Sequence, residues 1–149
     1  MTFDPVTFLN QTYDEVLDTK IIPCPVGEYP AIAEKVEVKP WAARDGSSSG
    51  LKVEIVWDIQ DENAKQLTGR DPVRVRQQQM LDLTDTGQLD FSKGKNVGLG
   101  RIREALGLNT AGQPFAFSMI EGRMAKVKVS HRAAGEDLYD EIKAIASAQ

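Results

Sequence analysis

"LKVEIVWDI", residues 51–59, sets Leu51, Val53, Ile55, Trp57 and Ile59 against Lys52, Glu54, Val56 and Asp58. A period of two over nine residues is the pattern of a β-strand with one face on a core. Trp57 shares the parity of Val53 and Ile55 and therefore reads as a core residue.

Working outward, the same period recurs. From Glu28 to Lys39, Ile32, Val36 and Val38 oppose Lys35, Glu37 and Lys39. A third strand, "PVRVRQQQMLDL" (72–83), turns Val73 and Val75 one way and Arg74, Arg76 and Gln78 the other. "MAKVKVSH" (124–131) turns Val127 and Val129 inward and Lys126 and Lys128 outward. After a turn at Gly135, "DLYDEIKAIASA" reads as a fifth strand, with a helix carrying Leu138, Ile142 and Ile145 as the alternative. Residues 40–50 and the stretch closing on Gly69 read as loops.

Between the third and fourth strands lies "KGKNVGLGRIREALG" (93–107), glycine-rich and basic. A phosphate-cradling P-loop needs a Lys-Ser/Thr pair after its last glycine, and that pair is missing. The dinucleotide fingerprint needs a third glycine where Arg103 stands, directly after a strand. A short helix fits better, with Asn96 as N-cap, a buried stripe of Leu99, Ile102 and Leu106, and Gly107 as the positive-φ stop. Close packing against the sheet would account for Gly98 and Gly100. Lys93, Lys95, Arg101 and Arg103 then form either a solvated face or a phosphate-contacting one.

The N-terminal residues 1–20 carry Phe3, Val6, Phe8, Leu9, Tyr13, Val16 and Leu17 near helical spacing, with Asp4 as N-cap and Pro5 in the first turn. They read as an amphipathic helical arm that either packs on the body or offers an oligomer contact. The expected organisation is this arm followed by a β-domain over residues 21–149. Five strands with a helix between the third and fourth is the order of an OB-fold, a five-stranded Greek-key barrel. The expected fold class is thus mainly β, an OB-like barrel with an N-terminal helical arm.

The chain has 149 residues, 41% apolar and 27% charged, and a net charge of −4. The charge is unevenly distributed. Residues 1–62 sum to −7, residues 63–132 to +6 and residues 133–149 to −3. A basic middle between acidic ends is an argument about partners. Cys24 is the single cysteine, which suits a reducing compartment. No apolar run reaches membrane-spanning length, and the N-terminus lacks the basic start and apolar core of a signal peptide. The expected location is cytoplasmic. His131 is the only histidine, no Cys/His/carboxylate cluster has metal-ligand spacing, and no G-x-S-x-G is present. The sequence therefore offers no catalytic site, metal or cofactor, and no enzyme is expected.

The segments "PVGEYPAIAEKVEV", "SGLKVEIVWDI", "GRDPV", "GLGRIREALGL" and "MAKVKVSH…LYDEIKAI" in this order resemble a family of small phage-encoded proteins associated with replication and recombination. Some of these are regarded as single-stranded-DNA-binding proteins. The resemblance covers residues from about 22 to 146 and implies an OB-like, non-enzymatic DNA-binding protein. Single strands are held by basic grooves and stacking aromatics, and an OB-fold uses its second and third strands with the loops after strands one and four. The corresponding candidates are Trp41 and Arg44 in the first loop, Arg74 and Arg76 on strand three, Lys126 and Lys128 on strand four, and Arg132, beside His131, in the last loop. Trp41 would stack on a base or else cap the barrel end. The alternative is a phage structural or assembly protein that uses the barrel as a building block and binds no nucleic acid.

Overall fold

The structure is a computed structural model that describes residues 3–148. Its elements are helix α1 (Pro5–Leu9), strands β1 (Gly27–Ala42) and β2 (Ser49–Ile59), helix α2 (Glu62–Thr68), strand β3 (Val73–Met80), helix α3 (Val97–Ala105), a 3-10 turn (Phe117–Ile120), and strands β4 (Met124–Ala134) and β5 (Asp137–Ser147). The five strands form one antiparallel sheet in the order β3-β2-β1-β4-β5. The fold is mainly β, as the period-two pattern indicated, and residues 137–147 are strand rather than helix. The sheet bends until β3 and β5, its two edges, come close. Among the described residues no ladder joins them, so the sheet is not closed into a barrel.

Val53, Ile55, Trp57 and Ile59 of β2 are wholly buried, as are Val73 and Val75 of β3 and Val127 and Val129 of β4. The Trp57 indole N–H donates to Gln77 Oε1 at 2.9 Å, which satisfies both groups inside the core. In β1 the expected facing holds only in part. A bulge between Ala33 and Lys35 makes Glu34 an extra residue. Ala31 and Ala33 face the core before it and Val36 after it, so Ile32, opposite Asp58, lies on the other side. A bulge inserts one residue and reverses the parity of everything beyond it.

Leu99 and Ile102 of α3 and Leu106 just past it are buried in the core, and Gly107 takes φ 71° after the helix end. Gly98 packs so closely that a Cβ there would collide with the Gln79 side-chain amide, whereas Gly100 meets nothing. Asn96 does not cap α3 through its side chain. Its own φ is 53°, and its amide side chain bonds the Asp82 N–H, the Asp82 carbonyl and the Asp90 carbonyl instead. Residues 62–68, expected as loop, form α2. Asp61 accepts from the Ala64 N–H at 2.9 Å, and Gly69 ends the helix at φ 69°.

The N-terminal segment departs furthest from its expectation. Asp4 caps α1 and Pro5 opens it, but helical structure stops at Leu9. Phe3, Val6, Phe8, Leu9, Tyr13, Val16 and Leu17 are all exposed, so the segment does not pack on the body. Residues 1 and 2 of the expected arm lie outside the described residues.

The segment between this arm and β1 is held tightly. Asp140 of β5 accepts from the Cys24 N–H at 2.7 Å and from Arg70 Nη2 at 3.1 Å, while Arg70 Nη2 also donates to the Ile22 carbonyl. His131 Nε2 donates to the Cys24 carbonyl at 2.6 Å and the Tyr29 hydroxyl to that of Pro25 at 2.8 Å. This clamp links the turn before β3 to β5 through the lead-in segment, where the ladder is missing. Cys24 is fully buried there, and burial, helped by the Asp140 charge, pushes its thiol from 9.0 up to about 11. It is an inert structural thiol at neutral pH. Asp140→Ala removes one carboxylate from two partners, and urea unfolding should register a loss of about 2 kcal/mol. Truncating the neighbouring Glu141 should cost far less. Equal small effects from both would show that the clamp is dispensable.

Candidate functional site

The solvent side of the sheet is fixed by register alone. Arg74 of β3 pairs with Asp58 of β2, Arg76 with Val56, and Gln78 with Glu54. Across β2, Val56 pairs with Lys35 of β1, Glu54 with Glu37, Lys52 with Lys39, and Gly50 with Trp41. Arg74, Arg76 and Trp41 thus share one face, at different points along it. A groove of about 530 Å³ runs over β1, β2 and β3 between Arg74 and Lys39, with Val56 in its floor.

The groove is densely charged and internally paired. The Arg74 fork holds Glu34 through Nε–Oε2 at 2.7 Å and Nη2–Oε1 at 2.9 Å. Glu54, with only 7% of its surface exposed, lies 3.3 Å from Arg76 Nη1 and 3.4 Å from Lys39 Nζ. Lys35 and Lys39 both pair with Glu37. The hydrogen bonds from Arg74 hold the Glu34 carboxyl below the usual glutamate range, and those from Lys35 and then Lys39 do the same for Glu37. Arg74 and Lys35 are pushed upward by the same contacts.

Trp41 is not in a loop. β1 extends through Ala42, and the indole lies half-buried on Gly50, where a Cβ would approach Nε1 to 3.0 Å. The Nε1–H is buried with no hydrogen-bond partner, a cost the site carries. The β1–β2 connection shrinks to residues 43–48, and Arg44 is exposed on it. From the Lys35 row to Trp41 is six residues, roughly 20 Å of strand.

Arg132 also sits on a strand rather than in a loop, as does His131, which is occupied by the Cys24 carbonyl. β4 and β5 carry Arg132 to the open seam opposite β3. A cleft of about 630 Å³ there is lined by Arg74, Arg76, Gln78, Arg132, Tyr139 and Glu141, among others. Arg132 Cζ stands 5.6 Å from the centre of the Tyr139 ring, and its Nε lies 3.6 Å from Glu141 Oε2. Three of the expected residues therefore converge, and Tyr139 joins them as an exposed aromatic that sequence reasoning missed. Lys126 and Lys128 do not join them. They are exposed on β4 opposite Pro30 and Glu28, with β1 and β2 between them and β3.

Chemically, the surface offers guanidinium forks, ammonium groups and aromatic faces interleaved with the carboxylates of Glu34, Glu37, Glu54, Asp140 and Glu141. Among the described residues no group of three or more His, Cys, Asp or Glu could hold a metal ion, and no helix is long and apolar enough to cross a membrane. No protein-family model matches the sequence, and no curated protein matches it.

The depressed carboxyls give the ion pairs a signature. Pairing strengthens folding at neutral pH and is lost as pH falls through the lowered values. A carboxyl NMR titration should place Glu34 and Glu37 below ordinary glutamates. Arg74→Ala should return Glu34, and not Glu37, to the ordinary range. A Glu34 midpoint unmoved by that substitution would mean that the fork does not persist in solution.

Proposed function

We propose that this chain binds single-stranded DNA with little sequence preference, as an OB-fold-like protein of phage type serving replication or recombination. The observation that carries the reading is the convergence of Arg74, Arg76 and Arg132 on one cleft beside Tyr139, continuous with the β1–β3 face that bears Trp41. The strand order adds support. A five-stranded antiparallel sheet ordered β3-β2-β1-β4-β5, with its two edges close but joined by no ladder among the described residues, is compatible with the partly open barrel of that reading. The resemblance of residues 22–146 to small phage replication proteins points the same way.

The ion pairs on the face do not oppose this reading. The Arg74–Glu34 pair is exposed and contributes little to stability, so a phosphate can take the place of that carboxylate. Buried Glu54 stays paired, and Arg76 meets a phosphate through its exposed remainder. Glu34 holds the Arg74 fork in the bidentate geometry that a phosphate also accepts. Arg44 extends the phosphate-contacting surface beyond the cleft, Lys126 and Lys128 would form a separate contact on β4, and Trp41 and Tyr139 supply faces for bases.

Replacing Arg74 and Arg76 by Gln tests the assignment with the fold monitored by thermal midpoint. Each phosphate contact on a single strand contributes about 0.7 to the slope of log K against log salt. The double variant should bind every single-stranded sequence more weakly and lose about 1.4 from that slope. Wild-type affinity and slope in a folded variant would remove these arginines from the site.

One observation favours a second reading, a phage structural or assembly protein. Residues 3–17 expose a run of apolar side chains, Val16 at 95% and Leu17 at 89%, as an inter-subunit arm would. Light scattering on the full chain and on a chain lacking residues 1–20 separates the two. An arm-dependent, salt-stable assembly without DNA affinity supports the structural reading. A monomer with or without the arm contradicts it.

A further inference from the structure

The basic, glycine-rich stretch that resembles a phosphate cradle without being one has no role in the face described above. We infer that it forms a second contact for the same single strand, with Phe91 as a base platform and Lys93 and Lys95 as phosphate ligands. The inference rests on the single-strand-binding reading and extends it to the connection between β3 and α3.

Three observations carry it. First, Phe91 is 77% exposed on a connection that is otherwise well tied. Leu83 and Leu89 bridge one another and pack against the core, and the Asp90 N–H donates to the Asp82 carbonyl at 2.9 Å. Asn96 fastens both ends, donating to the carbonyls of Asp82 and Asp90. The backbone that presents Phe91 is thus braced on both sides, while the ring itself faces water.

Second, the charge around it differs in kind from that on the sheet. Residues 91–103 contain Lys93, Lys95, Arg101 and Arg103 and no acidic residue. Among the described residues Lys93, Lys95 and Arg101 form no salt bridge, whereas Arg74 and Arg76 do. Of the two carboxylates that flank the stretch, Asp90 and Glu104, Asp90 accepts from the Ser92 hydroxyl at 2.5 Å and the Ser92 N–H at 2.9 Å and also feels the Lys95 charge. Lys93 and Lys95, both exposed and within four residues of the exposed Phe91 ring, make a surface complementary to phosphates and bases, the two components of a single strand. Arg103, whose guanidinium stands 4.3 Å from the centre of the Phe115 ring, is already engaged and is left out.

Third, the fold puts this patch at the end of the sheet where Trp41 lies. The Leu81 N–H donates to the Leu51 carbonyl at 3.0 Å, so the chain leaves β3 beside the start of β2. Gly50, the preceding residue, carries the Trp41 indole. A strand that runs up the groove from Arg74 and Arg76 toward Trp41 meets the connection bearing Phe91 at the groove's end.

The test uses the full chain and a labelled oligo-dT of about 30 nucleotides, long enough to cover a site of the usual range, titrated by fluorescence anisotropy over a salt series. Phe91→Ala should weaken binding about fivefold or more, the low end for loss of one base stack, with the salt slope unchanged. Lys93→Gln/Lys95→Gln should lower the slope by about 1.4. Both sites are exposed, so thermal midpoints should match wild type. If both variants titrate like wild type while Arg74→Gln/Arg76→Gln does not, the second contact is refuted and the sheet-face reading stands. If wild type itself does not bind, the parent reading fails and this one with it.

Discussion

The hydrogen bond from Trp57 to Gln77 sets the geometry on which the rest depends. Trp57 is among the largest side chains wholly buried, and its N–H must find an acceptor in a core that holds few. Gln77, on the core parity of Val73 and Val75, supplies it. The bond holds β3 against β2 in one register, and a slip of one residue would drive Arg74 and Arg76 into the core while exposing Val73 and Val75. The cationic row that lines both groove and cleft is a consequence of where the core takes its indole.

A second constraint acts at the open seam. β3 and β5 share no ladder among the described residues, yet the segment before β1 crosses there and is held by Arg70, Asp140, His131 and Tyr29. The clamp brings the two edges near enough for Arg132 and Tyr139 to face Arg74 and Arg76 across a cleft. It also engages His131 through the Cys24 carbonyl, so the charged face is built of arginine, lysine, carboxylate and aromatic groups. Fold and candidate site are joined at this point, because loosening the clamp separates the arginines as well as the edges.

Much of this is legible in the sequence, for a physical reason. Strands that bury one face must alternate, so β2, β3 and β4 can be read from side-chain period, and the buried stripe of α3 from its spacing of three and four. β5 leaves a helix open, because Leu138, Ile142 and Ile145 also fit helical spacing and its burial does not alternate. The bulge at Glu34 cannot be read, since its apolar neighbours continue the pattern on both sides of a hidden change of parity. α2 escapes a pattern reading because a single side chain of its seven residues, Ala64, is buried, although Asp61 and Gly69 mark its ends. Trp41 and Arg132 read as loop residues because Gly/Ser-rich and turn-flanked stretches suggest loops, whereas both strands run on past them. The meeting of Arg132 with Arg74 and Arg76 depends on the approach of β3 and β5, a long-range relation that no local pattern records. The apolar residues of the N-terminal segment have the spacing of a packed helix but no surface of this chain to cover.

The central claim is that the charged face and the cleft hold a single-stranded nucleic acid, and binding itself is its most direct test. A labelled oligo-dT of about 30 nucleotides, which spans at least one site of the usual size, would be titrated with the wild-type chain at low and at physiological salt. A duplex of equal length would serve as competitor. The account predicts saturable binding that weakens as salt rises, because each phosphate contact releases counterions, with the duplex a poor competitor. No binding at low salt, or equal preference for duplex, would contradict it and leave the paired charges of the face as ordinary surface chemistry.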